Sequence, residues 1–272
     1  MTTDQFTPLS IHPADDIPRD RWGRPLITPA DGGKPIPYTR VSTLAKTLDD
    51  KSALTKWLQR QVVIGMGRRP DLVAKASAVN NDRDLNDIVE SAMSAAESER
   101  AANIGTAVHA WTERVDDGAD LTEFPAEYRD DLAAYRDTMS GLKVIAKELF
   151  VVTDEVQAAG TFDRLVRLPD GRAMVLDIKT GKSEPDYPLG AATQIAVYSR
   201  GHLYSQADGR KKHLPSAGVD QDYGLLCHLP AGQAKCRLYL LDLQVGWRLA
   251  RIAAQVKATF SAKKTFITEY QP

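Results

Sequence analysis

Residues 160–181, Gly-Thr-Phe-Asp-Arg-Leu-Val-Arg-Leu-Pro-Asp-Gly-Arg-Ala-Met-Val-Leu-Asp-Ile-Lys-Thr-Gly, constrain the fold more than any other stretch. Leu165, Val166 and Leu168 precede Pro169-Asp170-Gly171, and Met174, Val175, Leu176 and Ile178 follow it, so the segment reads as a β-hairpin. Proline suits the first central position of a type I turn, aspartate the second, and glycine the left-handed residue after it. That pattern predicts a three-residue loop with a bulge. Such a loop pairs Leu168 with Arg172 and sets Asp163 opposite Asp177. A two-residue loop would put the two acids on opposite faces, because a slip of one residue flips every side chain.

Directly opposed strand residues have Cβ atoms roughly 4.5–5.5 Å apart. Two carboxylates at about 5 Å repel by about 3 kcal/mol at an effective dielectric near 20. A shared proton or a bound cation relieves that cost, and two hard oxygen ligands suit Mg²⁺ or Mn²⁺. Lys179 falls on the face of Asp177 by the period of two. The same charges also read as a solvated face in which Asp163 pairs with Arg167 or Lys179. Residue types alone leave both readings open.

Upstream, Ile104, Val108, Trp111 and Val115 form a helical core stripe with His109 and Glu113 on its flank, four residues apart. A histidine at a core boundary reads as structural on its own. The second histidine of a zincin helix is absent. Downstream, Gln194 and Tyr198 share one helix face, where a buried amide and phenol need hydrogen-bond partners in any fold.

Taken together, Gly160-Thr-Phe-Asp163, Asp177-Ile-Lys179-Thr-Gly, Gln194-x-x-x-Tyr198 and Gly105-Thr-x-x-His109-x-x-x-Glu113 resemble the PD-(D/E)xK nucleases. The likeness is closest to the RecB-like exonuclease branch, which includes phage-encoded and CRISPR-associated exonucleases, and it covers about 104 to 204. It implies a metal held by Asp163, Asp177, His109 and the backbone carbonyl of Ile178. Lys179 would position or deprotonate the attacking water, or hold a phosphate oxygen. Gln194 and Tyr198 would bind Lys179 or the substrate strand, with Glu113 and Glu148 as supporting acids. Several members of that branch carry a four-cysteine iron–sulfur cluster. Cys227 and Cys236 are the only cysteines here, so no such cluster is expected, and as small core or edge residues they should stay reduced.

The fold expected is α/β: a restriction-endonuclease-like core, a small mixed sheet flanked by helices, with a helical subdomain before it. Residues 1–40 hold seven prolines and read as an extended arm, wrapping the domain or mobile, with Trp22 and Leu26 as its anchors. Residues 41–142 read as the helical subdomain, with Ser42 as a cap and Gly65 and Gly67 ending the second helix. Residues 143–272 read as the nuclease core. It starts with a strand from Lys143 to about Val152 that carries Glu148. A helix is expected from Pro188 to about Tyr204, then two strands near 223–229 and 236–241, and a last helix. Gly209-Arg-Lys-Lys-His213 reads as a basic loop. Arg164, Arg210, Lys211 and Lys212 are the secondary candidates for DNA contact, and Lys263-Lys264 add a basic patch.

Thirty-five Lys and Arg against 36 Asp and Glu leave a net charge of −1, so bulk charge does not point to nucleic acid. No apolar run approaches the 18 or so residues of a membrane span and the N-terminus lacks a signal-peptide core, which predicts a cytoplasmic protein, in the host cytoplasm if phage-encoded. The function expected is a divalent-metal-dependent DNA exonuclease of recombination, repair or phage DNA metabolism, with DNA as substrate and a single-strand annealing or recombination protein as candidate partner. Three alternatives accompany it: an endonuclease on branched or double-stranded DNA, a non-catalytic DNA-binding recombination partner, and a hydrolase of other substrates.

Overall fold

The Pro169-Asp170-Gly171 turn forms with the predicted geometry. Leu168 N–H donates to Arg172 O at 2.9 Å, Gly171 N–H donates to Leu168 O at 2.9 Å, and Gly171 has φ +89°. The structure is a computed structural model that describes residues 17–207, 209–261 and 268–270; Lys263-Lys264 lie outside the described residues. The elements are β1 (Leu26–Ile27), β2 (Ile36–Pro37), β3 (Thr39–Arg40), α1 (Val41–Ala45), α2 (Ser52–Arg68), α3 (Pro70–Ala78), α4 (Asp82–Ala95), α5 (Arg100–Asp116) and α6 (Arg129–Met139). They continue with β4 (Lys143–Thr153), β5 (Ala158–Arg167), β6 (Ala173–Lys179), α7 (Leu189–Ser199), β7 (His202–Ser205), β8 (Gly209–His213), β9 (Tyr223–His228), β10 (Arg237–Asp242) and α8 (Leu243–Ser261).

The central sheet is mixed and eight-stranded, in the order β10-β9-β6-β5-β4-β7-β8, with β3 added parallel to β5. Only β6–β9 is parallel among the other neighbours. Helices α1, α7 and α8 supply Val41, Leu44, Ile195, Tyr198, Leu243 and Ala250 to the main core, against Phe162, Leu165, Val175 and Leu226 of the sheet. Gly246 lets α8 lie on α7, since a Cβ there would stand 2.2 Å from Ala192 O. This mixed sheet flanked by helices is the restriction-endonuclease-like arrangement expected.

The chain divides into two compact units, residues 50–111 and the remainder. The expected subdomain of 41–142 contains the compact unit 50–111 and extends past it on both sides. Val41 and Leu44 are buried in the sheet's core, and Thr112 and Asp116 of α5 bind Arg164 of β5. The 50–111 unit is helical and centres on Leu72, Ile88 and Ala92. Gly65 does not end α2. It sits within the helix where a Cβ would meet Ala92 O at 1.8 Å, so its role is the close approach of α2 to α4. Ser42 lies inside α1, whose N-cap is Arg40, and does not cap it.

In the N-terminal segment Ile17, Ile27 and Tyr38 pack with Phe150, Val152, Ala159 and Tyr204. The expected anchor Trp22 is instead 61% exposed. Helix α7 stops at Ser199, short of Tyr204, because Gly201 turns the chain where a Cβ would meet Val151 Cγ1 at 2.2 Å. The following His202–Ser205 forms β7, and the expected basic loop is its antiparallel partner β8.

The loop between β9 and β10 is held by Asp131, 1% exposed in the first turn of α6. Its carboxylate accepts the backbone N–H groups of Gly232, Gln233 and Ala234 at 2.6, 3.0 and 2.6 Å. Asp131→Ala leaves three amides without their acceptor, each lost partner costing about 1 kcal/mol or more. We expect it to lower unfolding free energy by about 3 kcal/mol in a urea titration; a loss under about 0.5 kcal/mol would contradict this reading. Across the same strand pair the thiols of Cys227 and Cys236 stand 3.4 Å apart, both free.

Candidate active site

Strand β5 changes neighbours where the acidic pair sits. It pairs with β6 from Arg167–Ala173 to Arg164–Leu176, and with β3 at Ala158 and Ala159. Residues 160–163 lie between these two pairings. The hairpin register sets Asp163 across from Asp177, and Asp163 Oδ2 accepts the Ile178 N–H at 2.6 Å. Asp177 is 5% exposed, and its Oδ2 lies 2.8 Å from Lys179 Nζ. The two acids and the lysine of the motif are thus drawn together.

Two further acids share this environment. Glu148 stands in β4 with φ +48°, a left-handed conformation that interrupts the strand beside Asp163. Burial, then the charges of Asp163 and Glu113, raise its carboxyl to about 7. Asp163 is itself pushed above the usual carboxylate range by burial, with the Ile178 amide and Lys179 pulling the other way. Burial opposes the Lys179 ammonium, but Asp177 outweighs it and holds the group above its ordinary value. Lys179 is therefore a cation near neutral pH, suited to donating hydrogen bonds rather than to removing a proton.

Tyr198 on α7 is 5% exposed, and its ring meets that of Phe162 edge-on at 6.2 Å. Burial and the fields of Asp177, Asp163 and Glu148 raise its phenol well above the usual value. Gly160 makes room for it, since a Cβ there would stand 3.0 Å from the Tyr198 hydroxyl. Gln194, half-buried, lies one turn earlier on the same helix. His109 lies in the 50–111 unit, one helical turn before Glu113 on α5.

The basic candidates do not line this site. Arg164 is fully buried, paired with Asp116 at 2.6 Å and Glu148 at 3.5 Å. It cannot face a DNA backbone, because the residue after Asp163 points to the other side of the strand and meets α5. Arg210 is bound to Asp154 and donates to Thr28 O at 2.6 Å, which occupies its guanidinium. The side chain of Lys211 lies outside the described ones, and Lys212 is half-buried. Sequence reading missed the Arg164–Asp116–Tyr135 group, in which the Tyr135 hydroxyl donates to Asp116 at 3.0 Å. An arginine in a strand apolar on both faces was its one signal. His228 was also missed: it is 3% exposed, in register with Lys179, with Nε2 2.8 Å from Gly181 O.

Among the described residues no three His, Cys, Asp or Glu side chains are arranged to hold an ion by themselves. Magnesium does not require that. It keeps several waters and is held through one or two carboxylates, and the donors here are hard oxygens. The carboxylates of Asp163 and Asp177 with the backbone at Ile178 therefore fit a divalent cation.

The raised Glu148 carboxyl has a consequence for pH. A folded value of about 7 against an ordinary 4.5 means the folded state holds the extra proton between those limits. Stability from this group is present below about 4.5 and is lost as pH rises towards 7. In EDTA, Glu148→Gln is expected to match wild type in thermal stability at pH 5 and to exceed it at pH 7.5. An equal difference at both pH values would contradict this.

A family model described as the PD-(D/E)XK nuclease superfamily matches residues 81–217, half of the chain. The match takes in α4, α5, the acidic hairpin and α7. No curated protein matches the chain. Nucleases of this superfamily use divalent metals, typically Mg²⁺ or Mn²⁺. No helix among the described residues is long and apolar enough to cross a membrane. With the opposed aspartates and the adjoining lysine inside the matched half, the chain belongs to the PD-(D/E)XK nuclease superfamily, whose members are metal-dependent nucleases.

Proposed function

We propose that the protein is a DNA exonuclease of the RecB-like branch. The observation that carries the reading is the pairing of half-buried Asp163 with buried Asp177, with Lys179 ion-paired to Asp177 at 2.8 Å. Asp163, Asp177 and the carbonyl of Ile178 would hold the cation. His109 is assigned as a further ligand by its Gly-Thr-x-x-His-x-x-x-Glu motif alone. When bound, the cation supplies Lewis acidity, lowering the pKa of water and neutralising charge at phosphorus. Lys179, held as a cation, donates to the phosphate oxygen or orients the water. Tyr198 and Gln194 fix the Lys179 side of the site, and Glu113 and Glu148 adjust its field. DNA recombination, repair or phage DNA metabolism, a cytoplasmic setting and a single-strand annealing partner follow from the resemblance.

Linear and covalently closed circular DNA separate this reading from an endonuclease. With Mg²⁺ or Mn²⁺, an exonuclease shortens the linear form to mononucleotides or short pieces and leaves the closed circle intact. Conversion of the circle to nicked or linear product would overturn the exonuclease assignment while leaving the metal-dependent nuclease standing.

A further inference from the structure

A groove of about 450 Å³ opens beside β3, between the turn at 19–25 and the C-terminal half of α8. Its lining includes Trp22, Arg24, Arg40 and Lys257, and no acidic residue. The neighbouring depression along α8, by contrast, is lined by Asp154 and Glu155.

The turn that carries Trp22 is built to hold it out. Asp20 accepts the backbone N–H groups of Trp22 and Arg24 at 3.0 and 2.9 Å, and Gly23 takes φ +74° at the tip. Arg19 closes the turn by donating to Gly23 O at 3.1 Å. The indole is 61% exposed, and the guanidiniums of Arg21 and Arg24 lie over its ring, 4.0 and 5.0 Å from the ring centre. A base can stack on this exposed indole by taking the place of a guanidinium on its face, which releases that arginine to a neighbouring phosphate. Arg24 is partly neutralised by its 2.7 Å pair with Asp20. Arg40 and Lys257, which pair with no described acid, supply the groove's remaining charge.

Strand β5 links the groove to the acidic site. Arg40 pairs with Ala159 of β5, the residue before Gly160. Val41 and the Tyr198 hydroxyl both lie within 3.5 Å of where a Gly160 Cβ would be. From Ala159 to Asp163 is four strand residues, about 13 Å, the reach of a few nucleotides.

We propose that this groove binds single-stranded DNA, with a base stacked on Trp22 and the phosphodiester backbone on Arg40 and Lys257, as the strand passes to or from the acidic pair. The direction of that path rests on the nuclease reading; the binding itself does not. The test uses the full chain in EDTA with a fluorescein-labelled oligothymidylate, followed by anisotropy over a range of salt. Trp22→Ala is expected to weaken binding about 10-fold or more. It should also abolish the quenching of tryptophan emission on binding that Trp22 contributes among the four tryptophans. The double variant Arg40→Ala/Lys257→Ala is expected to lower the slope of log affinity against log salt by about 0.7 per lost phosphate contact. Arg172→Ala, far from the groove in sequence and paired with Asp170 at 2.7 Å, should bind as wild type does. Unchanged affinity and salt slope in the groove variants would overturn the site. An equal effect of Trp22→Ala on duplex DNA would overturn base stacking, because paired bases are not free to stack there. Intact binding with no hydrolysis in any metal would count against the nuclease reading alone.

Discussion

Asp177→Asn is expected to reduce DNA cleavage by about 10³-fold or more while leaving the metal-free protein as stable as wild type or more so. The cation's stabilisation of transition-state charge is worth several kcal/mol, and each 1.36 kcal/mol is tenfold in rate. The stability half of the result comes from the same geometry. Asp177, 5% exposed, opposes Asp163 across the hairpin, and both act with Glu148 on the Tyr198 phenol. Carboxylates on directly opposed strand residues, about 5 Å apart, repel by about 3 kcal/mol at an effective dielectric near 20. Asparagine keeps the shape and an acceptor for Lys179 while removing one of the charges. The gain in melting temperature that Mg²⁺ gives the wild type should also disappear, since binding to the native state is what raises it. A folded Asp177→Asn protein that cleaves within tenfold of wild type would contradict the account. Clear destabilisation in EDTA would show that the pair is structural.

Arg164→Leu should give the largest loss of stability among single substitutions in the sheet. Its guanidinium is fully buried, with Nε 2.6 Å from Asp116 Oδ2 and Nη2 donating to the Thr112 hydroxyl at 3.1 Å. Asp116 has only 5% of its side chain exposed and also accepts from Tyr135. Removing the arginine strands a buried carboxylate, a change that costs about 3–5 kcal/mol. That is a large share of the 5–15 kcal/mol typical of a whole domain. Replacing both partners, as Arg164→Leu/Asp116→Leu, should recover part of the loss, because a hydrophobic pair carries no desolvation penalty. Denaturant titration of the two variants checks this. Additive losses, or a single-variant loss below about 1 kcal/mol, would contradict it.

How much of this was legible in the sequence depended on whether the signal was local. The hairpin register could be read because Pro169, Asp170 and Gly171 each have one preferred place in the turn, and that turn alone set Asp163 across from Asp177. The motif lysine followed from strand periodicity. Residues whose role depends on a distant partner could not be read in this way. Gly65 resembles a helix stop until Ala92 of another helix is seen against it. Gly201 ends α7 because β4 lies beneath it, and the apolar run through Tyr204 hides the change from helix to strand. Arg164 resembles a DNA contact beside the catalytic motif until Asp116, 48 residues away, claims it. Trp22 resembles an anchor because large apolar residues are usually buried, and only the Asp20 turn reveals that it is held outward. The division of the chain within α5 was hidden for a related reason: an uninterrupted helix carries no sequence mark where its packing partners change.

The most direct test of the central claim is a cleavage time course on end-labelled single- and double-stranded DNA with Mg²⁺, Mn²⁺ or EDTA, wild type beside Asp177→Asn. The account predicts release of mononucleotides or short pieces from an end in either metal, none in EDTA, and none above background from the variant. No hydrolysis by the wild-type protein in any metal, or hydrolysis that persists in EDTA, would contradict it.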